Sequence, residues 1–295
     1  MRRPRFLDLL VLIPLLPFLM TETAFAQFGP EAPPDGSRLV RIEPVFPVTK
    51  IVPGETQLLG LHFRIAPKWH IYWRNPGESG SEPGIKLELP DGFRRGPIIW
   101  PRPVVHATEW ETTFGYDDET MLFVPITAPP EIDSATVRIG IEADWLVCKE
   151  ICLMGSGKVS IELPVAPPGE QVAPTPSERA SAHARILARV PTPIRKVPGT
   201  LAELVSADGR PALRIEGPTG GAKKITFVPE LTPGVTLREG VLVAATIADD
   251  RYRILVPLEI KPENAIGNPL EVAGIILFGN GPADPAVELR IPLKP

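Results

Sequence analysis

The chain has two cysteines, Cys148 and Cys152, and both lie in the stretch ADWLVCKEICLMGSG (Ala143–Gly157) with three residues between them. Two thiols at this spacing admit three chemistries: a structural disulfide, a clip for a soft metal ion, or a couple that trades electrons with a thiol on another protein. A straight strand would set the two Cα atoms about 13 Å apart, whereas a disulfide needs them within roughly 4.4–6.8 Å. The chain must therefore turn between them, as one helical turn or as a tight loop joining two strands. The strand-like run before Cys148 and the Gly155-Ser156-Gly157 break after Cys152 predict a loop at the rim of a β-structure.

As a staple the bond is weak, because so small a ring removes only about 2 kcal/mol of unfolded-state entropy. As a metal clip it has more force. Cys148, Cys152 and Met154 place three soft sulfurs within seven residues, a set that suits Cu(I) in an exported protein, and His62, His70 or His106 could add an imidazole. A structural zinc site would want four nitrogen or sulfur ligands. As a redox couple the pair needs only a turn, access for a partner's thiolate, and a second cysteine to resolve the mixed disulfide. Lys149 favours a thiolate here, Asp144 and Glu150 oppose it, and the order of attack stays open.

Compartment bears on all three. Residues 1–26, with Arg2, Arg3 and Arg5 before an apolar run and Ala24-Phe25-Ala26 before Gln27, read as a secretory signal peptide cleaved near Ala26. The run is shorter than the ~20 apolar residues of a spanning helix, and no later segment reaches that length, so a soluble, exported protein without stable membrane insertion is expected. A pair of cysteines persists as a disulfide outside the cytosol. The formal net charge of −4 gives no support for binding nucleic acid or an anionic membrane.

The elements that must position the thiols are strands. Thirty-eight prolines punctuate short runs rich in β-branched and aromatic residues, the pattern of an all-β sandwich. Strands are expected at 57–66, 69–73, 85–89, 121–127, 136–147 and 158–165. Within 136–147, Val137, Ile139 and Ile141 alternate with Arg138 and Glu142, which gives one buried and one wet face. A proline-rich linker follows, then one helix in SERASAHARILARV, with Ser177 as N-cap, Ala182, Ile186, Leu187 and Val190 as its apolar stripe, and His183 solvated. Pro191 and Pro193 end it. Strands return at 201–206, 212–216, 225–228, 241–247, 251–260, 271–278 and 286–293, enough for a second immunoglobulin-like sandwich. The halves also resemble each other: MLFVPITAPPEID parallels RILVPLEIKPENA, and the counterpart of DWLVCKEICLMG is IILFGNGPADP, which has no cysteine. The expected organisation is a signal peptide (1–26), a first sandwich (27–168), linker and helix (169–196), and a second sandwich (197–295).

Four ordered motifs carry a family resemblance. DWLVCKEIC, with WHIYWRNPGESG (Trp69–Gly80), LPDGFRRGPIIWP (Leu89–Pro101) and FGYDDETMLFVPI (Phe114–Ile126), is similar to the N-terminal periplasmic domain of the DsbD/ScsB thiol:disulfide interchange proteins, nearest to the ScsB-like branch. The resemblance covers residues 40–165. It implies an immunoglobulin-like domain whose cysteines lie on neighbouring strands at one end. Such a domain takes electrons from a membrane-embedded thiol donor and passes them to periplasmic thioredoxin-like or disulfide-bearing proteins, without an organic cofactor. By this resemblance Cys148 and Cys152 are the redox pair, and Phe114, with Tyr116 beside it, belongs to a cap loop that shields the disulfide. Family members are best known with a wider gap between the cysteines. Residues up to Pro295 hold no membrane span and no thioredoxin-like Cys-x-x-Cys, so the expected reductant is another polypeptide. The expected function is protein-disulfide reductase-like interchange in the periplasm. The rival functions are a Cu(I) carrier using Cys148, Cys152 and Met154, and a non-catalytic scaffold.

Overall fold

In the computed structural model, residues 35–167, 170–173, 178–238, 240–265 and 270–293 are described. The expected signal peptide and Ser177 lie outside them. Ten strands build the first sandwich: β1 (Val40–Val45), β2 (Thr56–Ile65), β3 (His70–Gly77), β4 (Gly84–Glu88), β5 (Arg94–Arg95), β6 (Val104–Ala107), β7 (Thr112–Asp117), β8 (Glu119–Thr127), β9 (Thr136–Cys148) and β10 (Cys152–Pro164). One sheet has the order β1-β2-β8-β5, and the facing sheet has the order β10-β9-β3-β7-β6 with β4 also on β9. The period-two alternation explains the packing. Leu59, Leu61 and Phe63 from β2 meet Ile71 and Trp73 from β3 and Ile139, Ile141, Trp145 and Val147 from β9 in one buried cluster. Each such side chain contributes about 1.5–3 kcal/mol through burial.

Four of these strands escape the sequence reading: β1, β5, β6 and β7. All four are short, and glycine or proline dilutes the pattern in β1 and β7. One α-helix among the described residues, α1 (Glu178–Leu187), follows. Its Ala182 and Ile186 pack on Val45, Met121 and Phe123, the outward residues of the β1-β2-β8 sheet. His183 is a correction to the expected solvated residue. It is buried, its Nε2 lies 3.0 Å from the Leu58 carbonyl, and its ring meets Phe123 edge-on.

The second sandwich comprises β11 (Thr192–Pro193), β12 (Leu201–Ala207), β13 (Arg210–Pro218), β14 (Ile225–Pro229), β15 (Val235–Leu237), β16 (Val243–Ala244), β17 (Thr246–Ala248), β18 (Arg251–Ile260), β19 (Glu271–Phe278) and β20 (Ala286–Pro292). Its sheets run β12-β13-β18-β15 and β11-β20-β19-β14-β16. The first order repeats β1-β2-β8-β5, and the run β20-β19-β14 repeats β10-β9-β3. The β19–β20 hairpin therefore takes the place of the cysteine hairpin, with no thiol in it.

Polar contacts join the two sandwiches. Arg74 pairs with Glu230 and, at 3.2 Å, with Glu288, while Asn75 Nδ2 donates to the Pro229 carbonyl at 2.7 Å. Arg102 is buried and donates to the carbonyls of Asp284 and Gly279. Val228, Ile275 and Leu277 join the core of the first sandwich.

Two buried histidines make stability acid-sensitive. Burial lowers His62 against the opposing pull of Glu119, and burial lowers His183. The unfolded chain binds protons first as pH falls through the ordinary imidazole value of about 6.5, so the folded state loses stability below that pH. Each histidine contributes up to about 1.4 kcal/mol per pH unit within its window. The urea midpoint should fall between pH 7.5 and 5. A midpoint that holds or rises there contradicts the burial of both rings.

Candidate functional site

Strands β9 and β10 form a long antiparallel hairpin whose last rung pairs Cys148 with Cys152. Lys149, Glu150 and Ile151 make the turn, a tight loop joining two strands at the rim, as the sequence led one to expect. The two cysteines are joined as a disulfide with Cα atoms 4.2 Å apart. Residues facing each other across an antiparallel pair come within about 4.5–5.5 Å, so a cross-strand pair at the end of a hairpin brings two sulfurs together with little distortion of the chain.

The two sulfur-bearing residues are unequal. Cys148 is 3% exposed, whereas Cys152 is exposed. The difference arises because β10 is the edge strand of its sheet, while β9 is covered on both sides, by β10 and by β3 and β4. Cys152 is therefore open to solvent at the rim of the sheet, and Cys148 is not.

Residues from distant segments frame the disulfide. The Tyr72 hydroxyl donates toward Cys152 Sγ at 3.6 Å. Burial pushes the Tyr72 hydroxyl up, so it keeps its proton over the working pH range. His70 on β3 stands in register with Cys148 on β9 and with Asp117 on β7. Both His70 and Tyr72 come from the WHIYWRNPGESG motif, in which the sequence reading offered His70 as an imidazole for copper and gave Tyr72 no role. The available signal was the alternation itself: His70 and Tyr72 share one face of a strand, while Ile71 and Trp73 share the other.

The expected cap residues lie elsewhere. Phe114 is 0% exposed on β7 and Tyr116 is 5% exposed, its hydroxyl donating to the Pro101 carbonyl at 2.8 Å. Both belong to the core cluster. Their strand neighbours Gly115 and Asp117 pair with Tyr72 and His70 on the face that carries the disulfide, so Phe114 and Tyr116 point to the opposite side of the sheet. They are core residues of a strand, not a loop over the sulfurs. Tyr72 makes the aromatic contact with Cys152. The exposed aromatic of the β6–β7 hairpin is Trp110, at 89%, in the turn Thr108–Glu111.

The copper ligand set receives no support. Met154 is 67% exposed, and the two cysteine sulfurs are bonded to each other. His62 lies on the other sheet, against Glu119. Among the described residues no group of three or more His, Cys, Asp or Glu side chains converges as a metal site.

The family described as thiol:disulfide interchange protein DsbD, N-terminal, matches residues 37–164. Residues 37–164 are a DsbD N-terminal domain. The match ends at the last residue of β10, so the cysteine hairpin, His70 and Tyr72 all fall inside it. The crystal structure of the N-terminal periplasmic domain of ScsB from Proteus mirabilis superposes with a TM-score of 0.55 at 16% identity, over 87% of this chain and 94% of that one. That overlap extends well beyond the DsbD N-terminal domain, so the likeness of fold includes the second sandwich. A DUF4466 family protein from Parabacteroides merdae (8% identity, 75% of this chain and 99% of that one, TM-score 0.25) also overlaps, but too loosely to bear on the fold. The same holds for the sporulation control protein Spo0M from Bacillus subtilis (10%, 86% and 90%, TM-score 0.22). No curated protein matches.

Proposed function

We propose that this chain is an exported thiol:disulfide oxidoreductase that exchanges electrons with protein partners in the periplasm through Cys148 and Cys152. The observation that carries this reading is the unequal burial of the two cysteines within a DsbD N-terminal domain. A partner's thiolate attacks Cys152 Sγ, the partner–Cys152 bond forms, the Cys148–Cys152 bond breaks, and its electron pair leaves on Cys148 Sγ. In the other direction Cys152 attacks a partner disulfide, and Cys148 then displaces the partner's thiolate. Each full cycle moves two electrons and leaves no group on the protein. The partners are thiol-bearing proteins: a membrane-embedded donor on one side, thioredoxin-like or disulfide-bearing proteins on the other. The second sandwich, which lacks cysteine, supports the first through the contacts of Arg74, Asn75 and Arg102.

Equilibrating the purified chain in glutathione buffers of graded potential, then alkylating free thiols, tests this reading. The expected result is a single two-electron couple, in which the reduced-to-oxidised ratio changes tenfold per about 30 mV. A pair that stays wholly oxidised or wholly reduced across the periplasmic range refutes interchange.

A further inference from the structure

Interchange at Cys152 places an electron pair on a sulfur that has almost no contact with water. Cys148 is 3% exposed, and burial without compensation disfavours a thiolate. Lys149 does not compensate it, because its ammonium lies in the exposed turn, 3.7 Å from the Glu150 carboxylate. The group that faces Cys148 across the sheet is His70, its register partner on β3, and directly opposed side chains on one face have Cβ atoms about 4.5–5.5 Å apart.

His70 is also built into a cluster. Its ring lies 5.2 Å from that of Tyr72, whose hydroxyl contacts Cys152 Sγ, and 4.5 Å from that of His106 on β6. His106 Nε2 is 3.0 Å from Asp117 Oδ1, and Asp117 is the register partner of His70 on β7. Gly115 lets β7 come close to β3, since a Cβ there would fall 2.2 Å from the Ile71 carbonyl. Within the cluster, His70 Nε2 is buried and has no hydrogen-bond partner. A buried imidazole nitrogen without a partner, on the residue in register with Cys148, is unexplained by packing.

We propose that His70 carries the proton of Cys148 during interchange, with His106 packed against the ring and Asp117 balancing its charge. The proposal rests on the interchange reading of Cys148 and Cys152. When Cys148 resolves a mixed disulfide, its S–H proton passes to His70 as its sulfur bonds to Cys152 Sγ. The Cys152–partner bond breaks, and the pair leaves on the partner's sulfur. In reverse, the imidazolium returns the proton to Cys148 as that sulfur is expelled. The groups facing the ring are Tyr72 on its own strand, Cys148 on β9, Asp117 on β7, His106 on β6 and Glu111 in the β6–β7 turn. Burial and then His106 lower His70, against Asp117 and Glu111, so the ring is neutral and ready to accept a proton at neutral pH. The exposed Asp117 carboxylate steadies the positive charge that results.

The test is single-turnover oxidation of the reduced full-length chain by oxidised glutathione, acid-quenched, alkylated and read by mass. In the native protein the Cys152–glutathione adduct resolves quickly. In His70→Phe its resolution at pH 7 should slow by about 100-fold, the lower end of general acid–base contributions. The defect should shrink as pH rises, because hydroxide can then take the Cys148 proton in place of the ring. A merely structural role would give a pH-independent defect or none, and either result overturns the proposal. His70→Gln, which retains polarity without a titrating ring, should behave as His70→Phe does and serves in its place if the phenylalanine variant misfolds. If the native chain shows no two-electron couple in the glutathione buffers, interchange itself fails, which is a separate outcome from a normal couple with unchanged His70 variants.

Discussion

Serine in place of Cys152 should abolish interchange, whereas serine in place of Cys148 should leave a chain that captures partners and cannot release them. The asymmetry follows from burial. Cys152 is exposed at the end of an edge strand, and Cys148 is enclosed between strands. In Cys148→Ser the accessible thiol still forms a mixed disulfide, but nothing stands behind it to displace the partner. In Cys152→Ser the remaining thiol is out of reach. Loss of the small disulfide ring costs about 2 kcal/mol, so both variants should fold. Expression in the native compartment, followed by non-reducing electrophoresis and mass identification, reads the result. Trapping by Cys152→Ser but not by Cys148→Ser would reverse the order of attack, and trapping by neither would leave the chain a scaffold with the family fold.

Alanine in place of Trp145 should cost about 3–5 kcal/mol, the range for removing a buried tryptophan from a core. Trp145 is 2% exposed and sits on β9, three residues before Cys148. Its ring meets Phe63 of β2 edge-on at a centroid distance of 5.9 Å, so the pair joins the two sheets of the first sandwich. Its Nε1 donates to the Gly36 carbonyl at 3.4 Å, and a Cβ on Gly155 of β10 would fall 2.3 Å from the same nitrogen. No side chain on β10 could approach so closely. Removing the indole opens a cavity near the cysteine end of the hairpin and takes the donor from the carbonyl of Gly36, in the short 3-10 turn Gly36–Arg38 before β1. Against a typical total of 5–15 kcal/mol, such a loss is large, and urea denaturation measures it directly. A loss below about 1 kcal/mol would mean that this ring does not hold the sheets together.

These two results probe parts of the protein that differed in how visible they were beforehand. The cysteine spacing, which cannot form a disulfide in a straight strand, required a turn. The alternation of Val137, Ile139 and Ile141 assigned one face of β9 to the core, and it continues through Ala143, Trp145 and Val147 to the turn. Spacing and alternation are local, so they survive without knowledge of the rest of the chain. The sandwich class, the single helix with its apolar stripe, and the sulfur pair were legible for that reason. The motifs flanking the cysteines also pointed to the family that matches residues 37–164.

Neighbours across strands were a different matter. Tyr72 and Cys152 are 80 residues apart in sequence and 3.6 Å apart in space. Their meeting depends on the register of β3 against β9, which no local pattern states. The same register decides that His70 rather than Trp69 faces Cys148. One step of alternation on β7 likewise sends Phe114 and Tyr116 into the core and leaves Gly115 and Asp117 on the disulfide face. His183 shows the same limit on the helix: its polarity suggested solvent, and packing over β8 buried it against Phe123. The sequence by itself therefore determined most of the elements, and that the chain must turn between the two cysteines if they are to bond. Only the tertiary structure decided which sulfur is open to a partner and which side chains surround the other, because both depend on strand pairings made over long separations.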